Sequence, residues 1–529
     1  MSGLSRRHFF YGTLLAGAVP TGGFGSTPSL KALGYKSPNE KLNIASIGAG
    51  GKAASDIRGC ATTENIVALC DVDDKSAAAI FNDKERGFDK APKYKDFRKM
   101  LDKEGAGIDA VIVTIPDFMH TVAAYNCMER GKHVYVQKPL TRTIWEARLM
   151  REAANKFKVA TQMGNQGYSN EGTRQAAEMV WAGDIGNVTE VHAWTNRPIW
   201  PQGVTAVPAP TPVPATLDWD LWLGIAKERP YTSGGEGYPA GYARGNFYQP
   251  SNWRGFYDFG CGALGDMACH ILGAPNMALK LGSPTSVECI MKEGVSDFQF
   301  PKKSVIKYEF PARGNMPPVT LYWHDGLTET PKIKGVPEGE YLGDLPRPAR
   351  PQAGAAGAGV AAGRGQGGRG GGRAGYDPRR PEGTGPVFSW SKIEALKANP
   401  PTRMGDPDGS LFIGDKGMLT TGTYGDDTRL IPVENMKDYE FPNQILTRSP
   451  GHYHDWIRSA KGGDPSCSNF NVASPFVEWM LLGVIACRSE GKIEWDPVKM
   501  RITNNTAANQ YIKPYIRKGW EKYLPAKLG

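Results

Sequence analysis

Three side chains of this sequence have the types and spacing needed to move a proton on and off a hydroxyl group. Asp266 and His270 are four residues apart, so on a helix they would share one face. Histidine is the usual general acid or base near neutral pH, and a neighbouring carboxylate can fix its tautomer or bind a second hydroxyl. Lys138 follows an apolar run and could hold or deprotonate the reacting oxygen. The alternatives are a core histidine near a capping aspartate and a solvated lysine.

Aromatic and basic residues accompany the carboxylate–imidazole pair. Trp253, Arg254 and Tyr257 precede it closely, and aromatic faces with a few polar groups are typical of a small-ligand cleft. Arg197 follows a strand-like run and could also reach a substrate. Cys269 lies inside the pair, but no second clustered set of ligands accompanies it, so no metal site is expected.

An N-terminal glycine-rich turn predicts a dinucleotide site. The apolar run 42–47 has the character of a buried parallel strand and leads into residues 48–53, GAGGKA, which fit the pattern G-x-G-x-x-A. The first glycine of that pattern makes the tight turn, and the second lets the backbone approach a pyrophosphate. The residues expected to contact the nucleotide in this turn are Gly48, Ala49, Gly50 and Gly51.

The end of the next strand favours one nicotinamide cofactor over the other. Residues 66–70 form a second apolar run, and Asp71 follows it 23 residues after Gly48. An acid about 20 residues after the first glycine hydrogen-bonds the adenosine ribose in such domains, and its charge disfavours a 2′-phosphate. NAD is therefore expected rather than NADP. The alternative is a domain of this fold that binds no nucleotide.

Strands and helices alternate through residues 41–165, which predicts a doubly wound parallel sheet. Further strands are expected at 108–114, 132–137 and 159–163, and helices at 118–130 and 143–156. Ligands of such sheets bind at the carboxyl ends of the strands. One crevice should therefore be lined by Thr114, Pro116, Gln137, Lys138, Asn165 and Gln166.

Taken in order, these motifs resemble the glucose–fructose oxidoreductase / inositol dehydrogenase / rhizopine-catabolism (Gfo/Idh/MocA) family. The matching pieces are Gly48-Ala49-Gly50, Cys70-Asp71-Val72-Asp73, Thr114-Ile115-Pro116-Asp117 with His120, Gln137-Lys138-Pro139-Leu140, and Gly265-Asp266 with His270. The stretches 217–224 and 252–255 look like an exported bacterial subgroup. The resemblance implies hydride transfer between a sugar or cyclitol carbon and nicotinamide, with Lys138, Asp266 and His270 as the catalytic set.

The resemblance also implies further cofactor contacts and exposes one departure. It adds His120 to the crevice residues named above as cofactor-binding. The family usually has Glu where this chain has Gln137. Losing that charge changes the surroundings of Lys138 but leaves the lysine in place, so it bears on rate and pH optimum more than on reaction type.

Residues 166–520 are expected to form the second domain, which the resemblance implies is an α/β domain with a large, open, mainly antiparallel sheet. Alternating runs that fit its strands lie at 188–196, 286–291, 304–310, 319–324, 411–412 and 418–421. One sheet face should carry the cleft, and an apolar opposite face would pack on a second subunit. The family analogy implies a homo-oligomer.

The N-terminus predicts export. Arg6 and Arg7 precede a modest apolar stretch at 9–19, which is the layout of a twin-arginine signal. That stretch is too short to span a membrane, so residues 1–35 are interpreted as the signal and linker of a protein that is periplasmic or otherwise exported. Proteins on this route fold before translocation, so we expect NAD to be captured in the cytoplasm and held tightly. The eight cysteines show no paired spacing and predict no disulfide framework.

Residues 331–386 predict a disordered Gly/Arg-rich insertion. Their centre, 353–375, is almost all Gly, Ala and Arg, which cannot bury enough apolar surface to offset the entropy of ordering. Arg-Gly repeats occur in nucleic-acid-binding tails, but no aromatic residue interleaves this one, and no nucleic-acid partner is expected. Much of the formal charge of +9 belongs to this insertion and the signal, so it does not describe the folded surface.

Two enzyme functions fit the same crevice. The first is an NAD-dependent oxidoreductase acting on a sugar, glycoside or cyclitol hydroxyl. The second is a glycoside hydrolase that oxidises a ring hydroxyl, eliminates the aglycone, adds water and reduces the sugar again. The hydrolase needs a base for C–H abstraction, for which Tyr257, His270 and His454 are candidates. A third hypothesis is a non-catalytic binding protein. The joint presence of Lys138 and the Asp266–His270 pair argues against it.

Overall fold

The first sheet is a six-stranded parallel sheet. The structure is a computed structural model and describes residues 39–234, 246–346, 388–401 and 408–528. Strand order is β3-β2-β1-β4-β5-β6, with bounds β1 Asn43–Ile47, β2 Asn65–Cys70, β3 Lys93–Tyr94, β4 Ala110–Val113, β5 His133–Val136 and β6 Thr161–Met163. The central strands of this sheet are apolar throughout because helices cover both faces of the sheet. In β4, for example, all four residues are buried. The predicted doubly wound sheet is confirmed, whereas β3 was missed because its two residues carry no pattern.

Helices cover both faces of this sheet. They are α1 Lys52–Cys60, α2 Asp74–Phe81, α3 Phe97–Glu104, α4 His120–Glu129 and α5 Ile144–Phe157. Capping side chains fix their starts: Asp73 and Asp96 each accept a backbone N–H two residues on, and Thr143 forms a capping box with Glu146. The strand order reverses between β1 and β4, which places the glycine turn after β1 at the ligand-binding edge.

The second sheet has nine strands in the order β13-β12-β11-β7-β10-β9-β8-β14-β15. The bounds are β7 Val188–Trp194, β8 Ser286–Glu293, β9 Lys303–Phe310, β10 Val319–Asp325, β11 Gly409–Gly414, β12 Met418–Thr421, β13 Arg429–Ile431, β14 Ile493–Asp496 and β15 Arg501–Ile502. Only the β7–β10 pair is parallel among the described strands of this sheet. The mainly antiparallel sheet is thus confirmed, and β9 and β10 alternate strictly between buried and half-buried residues.

Helices of the second part of the chain pack on one face of that sheet and against the first domain. They are α6 Glu171–Ala182, α7 Trp219–Leu223, α8 Cys269–Ile271, α9 Gly273–Ala278, α10 Trp390–Ala398, α11 His452–Ala460, α12 Phe470–Met480 and α13 Leu482–Cys487. Among the described residues, one helical stretch, Phe470–Cys487, is long and apolar enough to cross a membrane, and 78% of it is buried. Trp479 of this stretch packs edge-on against Tyr308 and Phe310 of the sheet.

The opposite face of the sheet is partly covered by residues that the sequence assigned to the disordered insertion. Leu342 is buried there with Trp194, Leu411 and Ile431. Residues 331–346 are therefore packed against the sheet, because their few apolar side chains find a complementary surface, and the expectation of disorder is wrong for them. The Gly/Arg-rich centre at 353–375 and the export signal at 1–35 lie outside the described residues.

Candidate active site

The glycine-rich turn has the geometry of a nucleotide cradle. A Cβ at Gly48 would lie 2.0 Å from the carbonyl oxygen of Thr114, and a Cβ at Gly50 would lie 2.0 Å from Ser76 Oγ. Only glycine therefore lets the turn approach the neighbouring strand end and helix. Around Gly51, in contrast, no atom lies within 4 Å of a Cβ position. The turn thus leaves open space at the start of α1, where backbone N–H groups can receive a pyrophosphate.

Asp71 braces this turn from the end of β2. Its Oδ2 accepts hydrogen bonds from the backbone N–H groups of Ala49 (2.9 Å) and Gly50 (3.1 Å), and its Oδ1 accepts one from Asp73 (3.0 Å). Burial raises the pKa of Asp71, and these three N–H groups offset part of that effect. The carboxylate therefore fixes the turn and lies in the wall of the adjoining cavity. Its predicted contact with an adenosine ribose stays a prediction.

A cavity extends along the carboxyl ends of β1, β2 and β4 and is roofed by the second part of the chain. The first domain supplies Gly48, Gly50, Gly51, Asp71, Asp73, Ser76, Phe97, Thr114 and Pro116 to its lining. The later part supplies Leu221, Trp222, Gln249, Pro250, Trp253, Arg254 and Trp520. Trp520 lies against Phe97, so a residue near the C-terminus completes the cavity wall. No spacing rule in the sequence links it to the glycine turn.

Backbone hydrogen bonds attach the roof to the edge of the first sheet. Residues 72–74, at the end of β2, pair with residues 216–218 through a β-bridge between Asp73 and Leu217. The N–H of Asp218 donates to Val72 O (2.9 Å), and the N–H of Asp74 donates to Thr216 O (3.1 Å). The short helix α7, which carries Trp222, begins directly after this pairing. The position of the roof is therefore tied to the same strand end that carries Asp71.

Lys138 and Asp266 meet from opposite domains. Lys138 Nζ donates to Asp266 Oδ1 at 2.8 Å and to the Asp266 carbonyl oxygen at 2.6 Å. Both side chains are largely buried, at 16% and 13% exposure. Burial raises the pKa of Asp266, but Lys138 and the guanidinium groups of Arg254 and Arg197 outweigh it and hold the pKa well below its usual range. The carboxylate is thus ionised and positions the lysine at the end of β5.

The predicted substrate residues divide into two groups. Arg254 Nε donates to Asp266 Oδ1 (3.1 Å), and its guanidinium lies 4.3 Å from the centre of the Trp253 ring. Both therefore stand between the cavity and the lysine–carboxylate pair. Tyr257 instead turns away, with its ring against Phe300 and 4.2 Å below the Arg488 guanidinium. Within the described part of the chain, Tyr257 does not line the cavity and makes no contact with the ion pair.

His270 follows Asp266 by one turn. A single π-helical turn, Leu264–Ala268, carries the aspartate, and α8 continues from it with the histidine. The imidazole is 4% exposed and meets the ring of Tyr424 edge-on at 4.8 Å. The chain thus brings the imidazole and the carboxylate onto one helical segment, as the spacing predicts. Its role in proton transfer stays a prediction.

The other predicted cofactor residues lie in or beneath the crevice. His120 is fully buried, and its ring nitrogens lie 2.7 Å from Ile115 O and 2.9 Å from Pro139 O. Burial lowers its pKa to about 4, so the ring is neutral and donates its single N–H to one of these two carbonyl oxygens. Asn165 and Gln166 are also buried, and Asn165 Nδ2 donates weakly to a carbonyl oxygen of the helix that carries the imidazole (3.4 Å).

Sequence reasoning missed Asp56, a fully buried carboxylate in α1. Its Oδ2 accepts from Thr114 Oγ1 and from Gln137 Nε2, each at 2.9 Å. Its Oδ1 accepts from the Tyr453 hydroxyl (2.8 Å) and from Lys52 Nζ (2.5 Å). The carboxylate missing at position 137 is therefore present one hydrogen bond away. Gln137 thus hydrogen-bonds a carboxylate of α1 that its spacing in the sequence did not predict. The expected effect of Gln137 on rate and pH optimum stays a prediction.

Asp117 is a second carboxyl group of interest, which the sequence analysis named in a family motif without giving it a role. It is buried at the end of the β4 segment, and burial raises its pKa to about 7, even though Arg254 and Lys138 act in the opposite direction. It is therefore partly protonated near neutral pH, unlike Asp266. The site holds two carboxyl groups with opposite protonation tendencies, a combination used for acid–base work.

Comparison with known proteins agrees with this architecture. The WlbA dehydrogenase of Chromobacterium violaceum, solved with NADH and UDP-GlcNAcA, matches with a TM-score of 0.51 over 87% of this chain and 97% of that chain, at 14% identity. A "Glycosyl hydrolase family 109 protein" from Solibacter usitatus is 30% identical over 194 residues, 33% of this chain and 41% of the relative. The scyllo-inositol 2-dehydrogenase (NAD(+)) of Bacillus subtilis is 30% identical over 102 residues, 19% of this chain and 27% of the relative. The chain spans less than half the length of these two curated relatives.

Family models match both domains. Residues 42–165 match the oxidoreductase-family domain described as an NAD-binding Rossmann fold, and residues 181–297 match the C-terminal α/β domain of the same family. The first match coincides with the sheet that carries the glycine turn and Asp71, so the cradle is an NAD-binding one. The second begins in α6 and ends beyond β8, and it includes the segment with Asp266 and His270. Both parts of the chain thus match the domain models of the Gfo/Idh/MocA oxidoreductase family.

Proposed function

We propose that this protein oxidises a hydroxyl-bearing carbon of a sugar, glycoside or cyclitol with a tightly bound NAD. The observation that carries the proposal is the Lys138–Asp266 ion pair, which joins the two domains beside the NAD cradle. Alcohol oxidation needs a group that holds the hydroxyl oxygen and a base that takes its proton. The lysine and the neighbouring His270 are suited to these two tasks.

Each residue receives one role in this proposal. NAD, when bound, supplies the hydride acceptor. Lys138 donates a hydrogen bond to the substrate hydroxyl oxygen and stabilises the negative charge that develops there. His270 Nε2 or Nδ1 takes the hydroxyl proton. Asp266 orients Lys138, and Arg254 and Arg197 keep that carboxylate ionised. Trp253 offers an aromatic face to the sugar beside them.

The roof over the cavity supports retention of the cofactor. Trp222, Trp253 and Trp520 cover the side of the cavity away from the first sheet, and residues 216–218 are hydrogen-bonded to the end of β2. Release of a dinucleotide would require these contacts to open. We infer that NAD does not exchange freely, so that the enzyme needs a second substrate to reoxidise it.

The test is to purify the protein, incubate it with a panel of glycosides, denature it, and identify the released nucleotide by mass spectrometry. One NAD per chain that becomes NADH with a particular glycoside is the expected result. No nucleotide after dilution would contradict retention. NAD that never changes with any sugar or cyclitol, and no sugar product, would contradict the oxidoreductase proposal.

A second candidate function is an NAD-dependent glycoside hydrolase. The family 109 relative favours it, because its name denotes hydrolysis and its similarity covers 194 residues. The same assay separates the two. In the hydrolase, free sugar accumulates from an aryl glycoside while the nucleotide returns to its oxidised form. In the oxidoreductase, an oxidised sugar appears in proportion to NADH.

Export by the twin-arginine route completes the proposal and carries its own prediction. Replacing Arg6 and Arg7 with lysine (Arg6→Lys and Arg7→Lys together) is expected to leave the protein in the cytoplasm, because the pathway reads the arginine pair. Fractionation with an antibody to the folded domain measures this. Substitution of Lys31 and Lys36 by arginine is the matched control and should leave export unchanged. Periplasmic protein in the double-lysine variant would contradict the route.

Asp71→Ala is expected to weaken NAD binding about 10- to 100-fold and to reduce the preference over NADP. The substitution removes a charged acceptor of hydrogen bonds, worth about 1.5–3 kcal/mol per bond, and frees the glycine turn that it braces. Calorimetric titration of the nucleotide-free protein with both cofactors measures the change. Asp74→Ala, three residues away in an exposed pair with Lys95, is the control. Unchanged affinity for both cofactors in Asp71→Ala would contradict a role of this carboxylate in nucleotide binding.

A further inference from the structure

Two of the eight cysteines lie side by side although 198 residues separate them in the chain. Cys487 Sγ is 3.7 Å from Cys289 Sγ and is oriented to donate its S–H to it. Cys289 belongs to the edge-side strand β8, and Cys487 is the last residue of α13. Neither sulfur belongs to the cavity or to the Lys138–Asp266 pair. The two sulfur atoms are therefore about 1.6 Å farther apart than the sulfurs of a disulfide bond.

The surroundings of the pair favour attack by Cys289. Cys487 is buried, whereas Cys289 is half-buried and reachable from solvent. The hydrogen bond from Cys487 lowers the pKa of Cys289, and Lys292 adds to this effect against the cost of burial. Lys292 Nζ itself lies 3.4 Å from the Cys487 carbonyl oxygen. The half-buried Cys289 is therefore the better nucleophile, and the buried Cys487 is placed to resolve a mixed disulfide.

The strand ladder is irregular at Cys289. The pairing of β8 with β9 shifts register between Cys289 and Met291, which is a β-bulge. A bulge bends the strand locally and interrupts the ladder. The side chain can therefore rotate toward Cys487 without dragging a regular strand.

We propose that Cys289 and Cys487 form a disulfide when the folded protein meets a disulfide oxidant. The Cys289 thiolate attacks one sulfur of a small-molecule disulfide such as oxidised glutathione, whose other half leaves as a thiolate. Cys487 then loses its proton and attacks the Cys289 sulfur of the mixed disulfide, which expels the second thiolate. The protein gives up two protons and two electrons, and the oxidant is reduced to two thiols.

The disulfide would fix the position of α13, the helix that packs against the turn carrying Asp266. α13 packs directly beneath the turn that carries Asp266, since a Cβ at Gly483 would lie 2.8 Å from Leu264 Cδ2 and 2.1 Å from the Tyr308 hydroxyl. A disulfide would attach this helix to β8. It would also close a very long loop, which restricts the unfolded chain most. Formation of this disulfide depends on the two thiols and an oxidant, and not on export of the protein.

The test uses the full-length protein, purified under reducing conditions and then incubated with oxidised glutathione. Before alkylation, the oxidised chain should be two hydrogens lighter than the reduced chain. After denaturation in N-ethylmaleimide, we expect six alkylated cysteines instead of eight and one linked peptide pair that contains positions 289 and 487. The melting temperature should rise by roughly 5 °C. Cys289→Ser and Cys487→Ser should each abolish the link. Cys467→Ser, which removes the other half-buried cysteine, should leave it unchanged.

Three results would overturn the proposal. Eight alkylated cysteines would show that the pair does not close. A persistent glutathione adduct on Cys289 would show that Cys487 cannot resolve it. A linked peptide that involves another cysteine, with 289 and 487 still alkylated, would show that the proximity of this pair does not govern oxidation. Peptide mapping without reductant distinguishes all three from the expected product.

Discussion

Replacing His270 with alanine is expected to abolish turnover while NAD remains bound. General-base catalysis by a positioned side chain contributes about 10²- to 10⁴-fold to a rate, and the buried imidazole stands one helical turn from Asp266. The cavity lining does not include it, so the cofactor should stay in place. The measurement is the rate of NADH formation in a single turnover with a reactive glycoside, together with the nucleotide content of the denatured variant.

Two further variants make the His270 result interpretable. His270→Asn keeps a planar polar group against Tyr424 and should be as inactive as the alanine variant if proton transfer is lost. His192→Ala, which removes a half-buried histidine from β7 in the distant sheet, should retain the wild-type rate. Near-wild-type turnover in His270→Ala would remove the residue from the mechanism. Loss of NAD together with activity would assign it a structural role.

Lys138→Met is expected to lower turnover by about 10²- to 10³-fold, because the charge that stabilises the developing oxyanion is lost. Methionine keeps the length of the side chain, so the change is mainly electrostatic. Asp266 would retain Arg254 as its partner, which limits the loss of stability to about 1–3 kcal/mol, below the cost of an unpaired buried charge. Stopped-flow kinetics measures the first effect and chemical denaturation the second.

The stability effect of Lys138→Met has a defined dependence on pH. Lys138 and its neighbours hold the pKa of Asp266 below its unfolded value, so the ion pair stabilises the folded protein above the unfolded pKa, about 4. The deficit of the variant should therefore be complete at neutral pH and shrink as the pH falls below about 4. Lys303→Met, in the exposed pair with Glu293, should show almost no deficit. A deficit that grows in acid would contradict the assignment.

A double-mutant cycle with Asp266→Asn separates the direct role of Lys138 from its support by the carboxylate. Coupling between residues in contact reaches about 0.5–3 kcal/mol. If Asp266 acts by positioning Lys138, Asp266→Asn should slow the wild type strongly and the Lys138→Met variant hardly at all. Additive effects in the two variants would give the carboxylate an independent task, such as binding a second hydroxyl of the substrate.

Sequence patterns predicted the two sheets well because their burial is periodic or continuous. The continuous apolar run of β4 reflects a strand that is covered on both faces of its sheet. The alternation in β9 and β10 reflects strands with one more deeply buried face. The same reasoning placed Lys138 at a strand end and Asp266 on a helix, in separate arguments. Their contact across 128 residues could not be derived, because it depends on how the two domains pack.

The sequence did not predict where side chains point in irregular segments. Tyr257 follows Arg254 by only three residues, yet the two side chains point to different places. Tyr257 packs against Arg488, whereas Arg254 reaches the ion pair. A 3₁₀ turn at Asn252–Gly255 and the bend after it set these directions, and no periodicity reports them. Trp520 was missed for a related reason, since the C-terminal segment returns to the first domain with only short 3₁₀ turns, such as Glu521–Tyr523, which leave no periodic pattern.

The Asp56–Gln137 hydrogen bond has an evolutionary consequence. A relative with Glu in place of Gln137 would set two carboxylates within hydrogen-bonding distance if it also kept the acid of α1, and like charges so close repel. The two positions should therefore change together: an acid at one is compatible with an amide or another donor at the other. The negative charge beside position 137 would then be a property of the pair of positions, and a change at either position alone would leave two acids or none.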